Sequence, residues 1–241
     1  MRPFFAIAAV LVTLQSARAE AACDGDWRTT AERSLVSIIE VANDLGRAAY
    51  DAAMPGDAIT FRREGGRWRA NVPRAVLRRA GADCDLVAKV EEAAAFYGPS
   101  LDLRNVRVLS GAPVMEASFA YHDRVKLGDV EGTCPATTTL VHELAHVWQY
   151  QHGQWQATMG LVDQTRYLWT DVYALQPERV IAAARAGRPI HSFIRERQAE
   201  LFETAWRIRS GRAEPLDPEY ERAVLALVEP ALRARPTWGH E

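Results

Sequence analysis

The stretch Thr137-Thr138-Thr139-Leu140-Val141-His142-Glu143-Leu144-Ala145-His146-Val147-Trp148-Gln149-Tyr150-Gln151-His152 contains no proline or glycine, and Gly153 follows it as a natural helix stop. It therefore predicts a helix of about four turns. On such a helix residues four apart lie one above the other, so His142 and His146 present both imidazoles on one face with Glu143 beside them. That spacing suits a tetrahedral Zn²⁺ held by two nitrogens, with a carboxylate placed to handle a proton. The competing reading is a chance coincidence on an amphipathic helix; the uninterrupted helical context favours the metal.

The N-terminus carries a second signal. Arg2 supplies a positive charge, residues 4–14 a short apolar run, and Ala17-Arg18-Ala19 the small residues that a signal peptidase reads. Residues 1–19 are expected to be removed and the protein exported, to the periplasm or beyond. The apolar run is well short of the roughly 20 residues needed to span a bilayer, so stable membrane insertion is not expected. Glu20 sits where a lipobox needs an aliphatic residue, which argues against lipidation of Cys23.

Composition is that of an ordinary folded domain. With 48% hydrophobic and 25% charged residues the chain can bury a sizeable core, and a net charge of −2 offers no bulk attraction for nucleic acid. Arginine pairs such as Arg62-Arg63 and Arg78-Arg79 read as solvated faces. Residues 20–241 are expected to form a single domain. Of the three cysteines, Cys23 and Cys84 are the expected bridge in an oxidising compartment, leaving Cys134 as a buried thiol.

Periodicity gives an α+β pattern. Residues 30–54 and 83–97 carry apolar residues at helical spacing. Residues 59–61 and 68–72 flank Glu64-Gly65-Gly66-Arg67 as a hairpin, and two more strands are expected at 106–109 and 115–127. From residue 156 onward the chain reads as almost wholly helical, with breaks near Pro177, Gly187-Arg188-Pro189, Gly211 and Pro215. The expected fold is a small, mainly antiparallel sheet with a metal-site helix and a helical C-terminal part.

A catalytic zinc typically takes three protein ligands and keeps the fourth position for water. Two candidates compete for the third. His152 has the spacing of H-E-x-x-H-x-x-G-x-x-H, but Gln149 replaces the glycine that lets the chain turn back. On a continuing helix His152 lies about 240° around the axis from His146, where it would serve as a cation at the helix C-terminus. Glu196 is the favoured candidate, on a helix that runs through Ile194, Arg197, Leu201 and Ala205. Glu200, one turn later, can accept a hydrogen bond from a liganding histidine and fix its tautomer.

The run His142 to Gln151, the upstream Val125-Lys126-Leu127-Gly128-Asp129 and the downstream Glu196-Arg197-Gln198-Ala199-Glu200 resemble the zincin-type bacterial metallopeptidases associated with Rhs and secretion-system genes. The resemblance covers roughly residues 105–206 and departs from that pattern at Arg197. It implies a zincin-like fold and a gluzincin-like site with Glu196 as third ligand. The strand at 115–127 is then expected above the metal, where an extended peptide or protein substrate could pair with it.

The chemistry this implies is peptide hydrolysis by a metal-activated water, with Glu143 as general base. Tyr173 leads Tyr167 and His191 as the donor to the oxyanion, and Trp148 and Trp169 are expected to pack the helices. An inactive zinc-bound scaffold that recruits a partner at the cell envelope is the alternative.

Overall fold

Gly65 and Gly66 both adopt positive φ, 55° and 80°, which is the backbone a two-residue hairpin turn demands and which glycine adopts without steric penalty. They join β1 (Ala58–Glu64) to β2 (Arg67–Asn71), with Glu64 opposite Arg67 across the turn. The computed structural model describes residues 57–110, 118–127, 134–154 and 174–237. Backbone contacts divide the chain after Ala53, and all of these residues belong to the unit Met54–Glu241. The expected leader at 1–19, the helix at 30–54, and Cys23, Tyr167, Trp169 and Tyr173 lie outside the described residues.

Three further strands complete a sheet of order β2-β1-β3-β5-β4: β3 (Arg107–Ser110), β4 (Phe119–Tyr121) and β5 (Arg124–Leu127). Three of its pairings are antiparallel, but β3 and β5 run parallel, so the sheet is mixed. The single strand expected over 115–127 is instead two short strands. His122 and Asp123 turn the chain between them, with His122 at φ 56°. Alternation over that span is the same for one long strand as for a tight hairpin, because a two-residue turn restores the inward face. Of these two strands β4 is at an edge of the sheet among the described residues; β5 is interior, and all four of its residues are buried.

Six helices accompany the sheet among the described residues: α1 (Arg74–Ala80), α2 (Leu86–Tyr97), α3 (Thr137–Gln151), α4 (Pro177–Arg185), α5 (Arg195–Arg209) and α6 (Pro218–Arg233). Their starts follow local chemistry. Asp85 caps α2 by accepting from the Ala88 N–H, and Asp217 caps α6 by accepting from Glu219 and Tyr220. Pro177 and Pro218 occupy the first turn, where a missing N–H costs nothing. Gly153, at φ 77°, ends α3 as expected. None of these helices is long and apolar enough to cross a membrane.

The layers position α3. It lies between the sheet, where it meets β4 and β5, and the helices α2 and α5; α6 packs beyond, on α5 and α4. Leu140, Leu144, Ala145 and Trp148 of α3 share one core with Tyr97 of α2 and Ala199, Phe202 and Ala205 of α5. Tyr97 is fully buried and donates its hydroxyl to the Val141 carbonyl at 2.6 Å, which fixes the backbone just ahead of His142. At the C-terminal end of α3 the Gln151 amide pairs with both backbone groups of Asp102.

The disulfide differs from expectation. Cys84 bonds Cys134, tying the approach to α2 to the approach to α3, so Cys134 is a bridge partner and the Cys23 to Cys84 pairing is set aside. Sequence offers no means of choosing among three cysteines; the packing of α2 on α3 makes the choice. Replacing Cys84 with serine is expected to lower unfolding free energy by about 2–4 kcal/mol, since the bridge closes a long loop. Urea titration of the oxidised protein checks this; identical midpoints for the two proteins would refute it.

Candidate metal centre

Helix α3 brings His142 and His146 onto one face, and the first turn of α5 brings Glu196 against them. Both imidazoles aim Nε2 at the same oxygen: Glu196 Oε2 lies 3.4 Å from His142 and 3.3 Å from His146. The three ligand atoms fall within 4.8 Å of one another, so His142, His146 and Glu196 stand within reach of one metal ion. These separations exceed the 2.7–3.2 Å of a good hydrogen bond. They match the edge of a tetrahedron, about 3.3–3.4 Å, drawn by bonds of about 2.0–2.1 Å to a central cation. By themselves the contacts are long hydrogen bonds, and the donor set is compatible with a small divalent cation.

The orientation of each ring has a cause. Gln149 donates its Nε2 to the Arg195 carbonyl at 2.8 Å, which leaves its Oε1 facing His146 Nδ1 at 3.0 Å. A carbonyl oxygen only accepts, so Nδ1 carries a proton, and once the ring is neutral its Nε2 lone pair is the one directed toward Glu196. Gln149 is thus more than the helix former read in place of a glycine. On His142, Nδ1 faces Glu200 at 3.5 Å and Glu203 at 3.6 Å. Glu200 stands beside this nitrogen as an ion-pair partner, and the hydrogen bond expected of it is made by Glu203. Arg207 in turn pairs with Glu203 at 2.5 Å. His142, Glu200 and Glu203 also lie within 4.8 Å of one another, but that trio uses the opposite nitrogen of the same ring.

Four carboxylates crowd two largely buried imidazoles, and the electrostatics follow. Burial by itself pushes His142 down. Hydrogen bonds to Glu196 and Glu203 and the charges of Glu143 and Glu196 outweigh it and raise the ring to about 10. His146 is raised for similar reasons, against its own burial. The cluster as a whole favours positive charge. Burial works against the charge of Glu203, but its bond to His142 and the Arg207 guanidinium lower its pKa. Glu200 is pushed up, by burial first and then by Glu203.

Glu143 is 5% exposed, and its Oε2 has no hydrogen-bond partner. Burial raises its carboxyl, with the two imidazoles opposing and Glu196 adding to the rise. A carboxylate so placed beside the convergence point is suited to exchanging a proton there.

His152 is absent from this cluster. Its Nδ1 donates to the Trp148 carbonyl at 2.7 Å, and its ring stacks on Trp148 at 4.1 Å. Nor is it the helix-terminal cation expected, because burial lowers its pKa despite the nearby carbonyls of Trp148 and Ala234. Trp148 does pack the helices, 5.0 Å from Phe202. His191 is exposed and lines a different cleft. Tyr173 and Tyr167 lie outside the described residues.

Compared with protein families, curated proteins and solved structures, the chain matches none. The case for a metal therefore rests on the geometry of this chain.

Two outcomes are expected. Metal content after dialysis, measured by elemental analysis, should be lost in Glu196→Ala, retained in His152→Ala and weakened in affinity about 10–100-fold in Gln149→Ala. Loss in His152→Ala with retention in Glu196→Ala would reverse the ligand assignment. The second concerns pH. Because the folded His152 has a depressed pKa, its contribution to stability is present above its ordinary 6.5 and is lost as pH falls through the folded value. An NMR titration of its ring should show a midpoint below 6.5, and a midpoint above that value would contradict the burial argument.

Proposed function

We propose that this chain is an exported zinc-dependent peptidase with a gluzincin-like site, in which His142, His146 and Glu196 hold the metal and Glu143 is the general base. The observation that supports the reading is the pair of Nε2 to Oε2 separations, 3.4 and 3.3 Å, which match the edge of a tetrahedron around a zinc-sized ion. Zinc is favoured over harder cations by the donor set, two imidazoles and one carboxylate, which calcium and magnesium do not select. When bound, zinc supplies Lewis-acid polarisation of a carbonyl and acidifies water.

The remaining work belongs to the chain. Glu143 takes a proton at Oε2 and returns it to the departing amine; its burial raises the pKa and so suits both halves of that transfer. Gln149 and the Glu200–Glu203 pair hold the two imidazoles with Nε2 inward, so the ligands need no reorganisation. Strand β4 is an outer strand among the described residues and packs against α3, which supports a reading in which an extended peptide joins the sheet there. Export rests on the leader-like residues 1–19, and a peptide or protein of the cell envelope is the substrate class this location supplies.

Replacing Glu143 with glutamine should reduce turnover of a peptide library by at least about 10²-fold while metal stoichiometry stays unchanged. Equal turnover by the two proteins would reject the peptidase reading and leave a metal-bound scaffold.

A further inference from the structure

We infer that the Cys84 to Cys134 bridge is a site of thiol–disulfide exchange, at which an incoming thiolate bonds Cys84 and expels Cys134. The two sulfurs of this bridge are chemically unequal. Lys89, on α2, donates from Nζ to Cys134 Sγ at 3.0 Å and to the Pro135 carbonyl at 3.1 Å. Neither acceptor carries a charge, and among the described residues Lys89 pairs with no carboxylate. Asp85, one turn earlier, is engaged instead as the α2 cap. An ammonium with uncompensated charge thus rests against one sulfur of the bridge. Cys84 lies between Asp83 and Asp85, where a developing negative charge meets like charge.

Exchange places negative charge on the two outer sulfurs of its three-sulfur transition state, the attacking and the departing one, and the better-stabilised thiolate leaves faster. Attack at Cys84 makes Cys134 the departing sulfur, 3.0 Å from the Lys89 ammonium, which stabilises the thiolate as it forms. Attack at Cys134 would put the departing charge on Cys84 and leave the ammonium against the central sulfur, where little charge develops. The step needs no oxidant or reductant. A bond forms between the incoming sulfur and Cys84 Sγ, the Cys84 to Cys134 bond breaks, and its electron pair leaves on Cys134. A second thiol, or the second sulfur of a dithiol, then attacks the incoming sulfur of the mixed disulfide and releases Cys84 as a thiolate. The bridge is thereby reduced by two electrons and the thiol reagent is oxidised to its disulfide.

Access and position agree with this role. Both cysteines are half-buried, so neither is sealed in the core. Cys134 lies just ahead of α3, and the Lys89 bond to Pro135 holds that approach when the covalent tie is gone. Tyr97 and the shared core continue to anchor α3 at Val141. Exchange therefore changes the covalent state at the entry of α3 while the helix stays packed. It needs only the bridge and Lys89, and so stands apart from the peptidase reading.

The test incubates the oxidised full chain with reduced glutathione, in a Cys23→Ser background so that only the two bridged sulfurs react. The mixture is acidified, free thiols are blocked with N-ethylmaleimide, and both cysteines are mapped by peptide mass spectrometry. Glutathione is expected on Cys84 and maleimide on Cys134, in excess over the reverse product by at least about threefold. Lys89→Met should remove that preference and slow the exchange by about threefold, whereas Lys89→Arg, which keeps the charge, should retain both. Melting temperatures of the oxidised variants check that the fold is kept, and the product ratio with Lys89 in place decides the matter even where Lys89→Met unfolds. Glutathione shared equally between the two cysteines, its capture mainly by Cys134, no mixed disulfide at all, or an unchanged preference in folded Lys89→Met would overturn the inference.

Discussion

The packing of α3 on α5 is the constraint on which the site depends. Glu196 is 50 residues beyond His146, and nothing local joins them. They meet because the two helices share a core in which Ala145, Ala199 and Ala205 are fully buried. Small side chains at a helix crossing allow close axial approach, and close approach lets a glutamate in the first turn of α5 reach two imidazoles on α3. That first-turn position also favours the carboxylate, since the positive end of the helix dipole lies there. A larger residue at any of these alanines would open the crossing and lengthen the Nε2 to Oε2 separations, which carry the geometric case.

The two imidazoles are oriented by different chemistry. His146 is held by a neutral amide, itself fixed by a backbone carbonyl, whereas His142 faces two carboxylates backed by Arg207. Placing anions behind both rings would add further negative charge to a cluster already holding Glu143 and Glu196, at a cost that rises as the local dielectric falls. A neutral partner on one side limits that cost. The raised pKa of His142 expresses the same balance, because the carboxylates around it favour a positive charge at this point.

What was legible in sequence was local. The H-E-x-x-H spacing, the Gly65-Gly66 turn, the stop at Gly153 and the Glu196 to Glu200 spacing each depend on residues within one or two turns, and each lies where the periodicity put it. The illegible features depend on meetings between distant segments. The parallel pairing of β3 with β5 and the Cys84 to Cys134 bridge follow from how elements stack, which no local pattern records. Glu203 lies seven residues past Glu196, two turns on and therefore on the same face, so helical spacing could have found it; attention to a single turn missed it. Gln149 was hidden because a glutamine in a helix is ordinary until its amide is seen to join a carbonyl on α5.

Helix periodicity also separates two faces of α3. Residues 142, 146 and 149 recur at spacings of four and three and share one face, while 148 and 152 fall on another, about 120° away at 100° per residue. One helix therefore presents a charged face toward α5 and, on another side, the stacked rings of Trp148 and His152. The faces still share a boundary. Ile190 and His191 line a cleft with Trp148 and His152, and the same segment runs on to Arg195, whose carbonyl holds Gln149. Gln149 in turn holds His146. Two hydrogen bonds therefore link the orientation of the His146 ring to a stretch of chain that also walls this cleft.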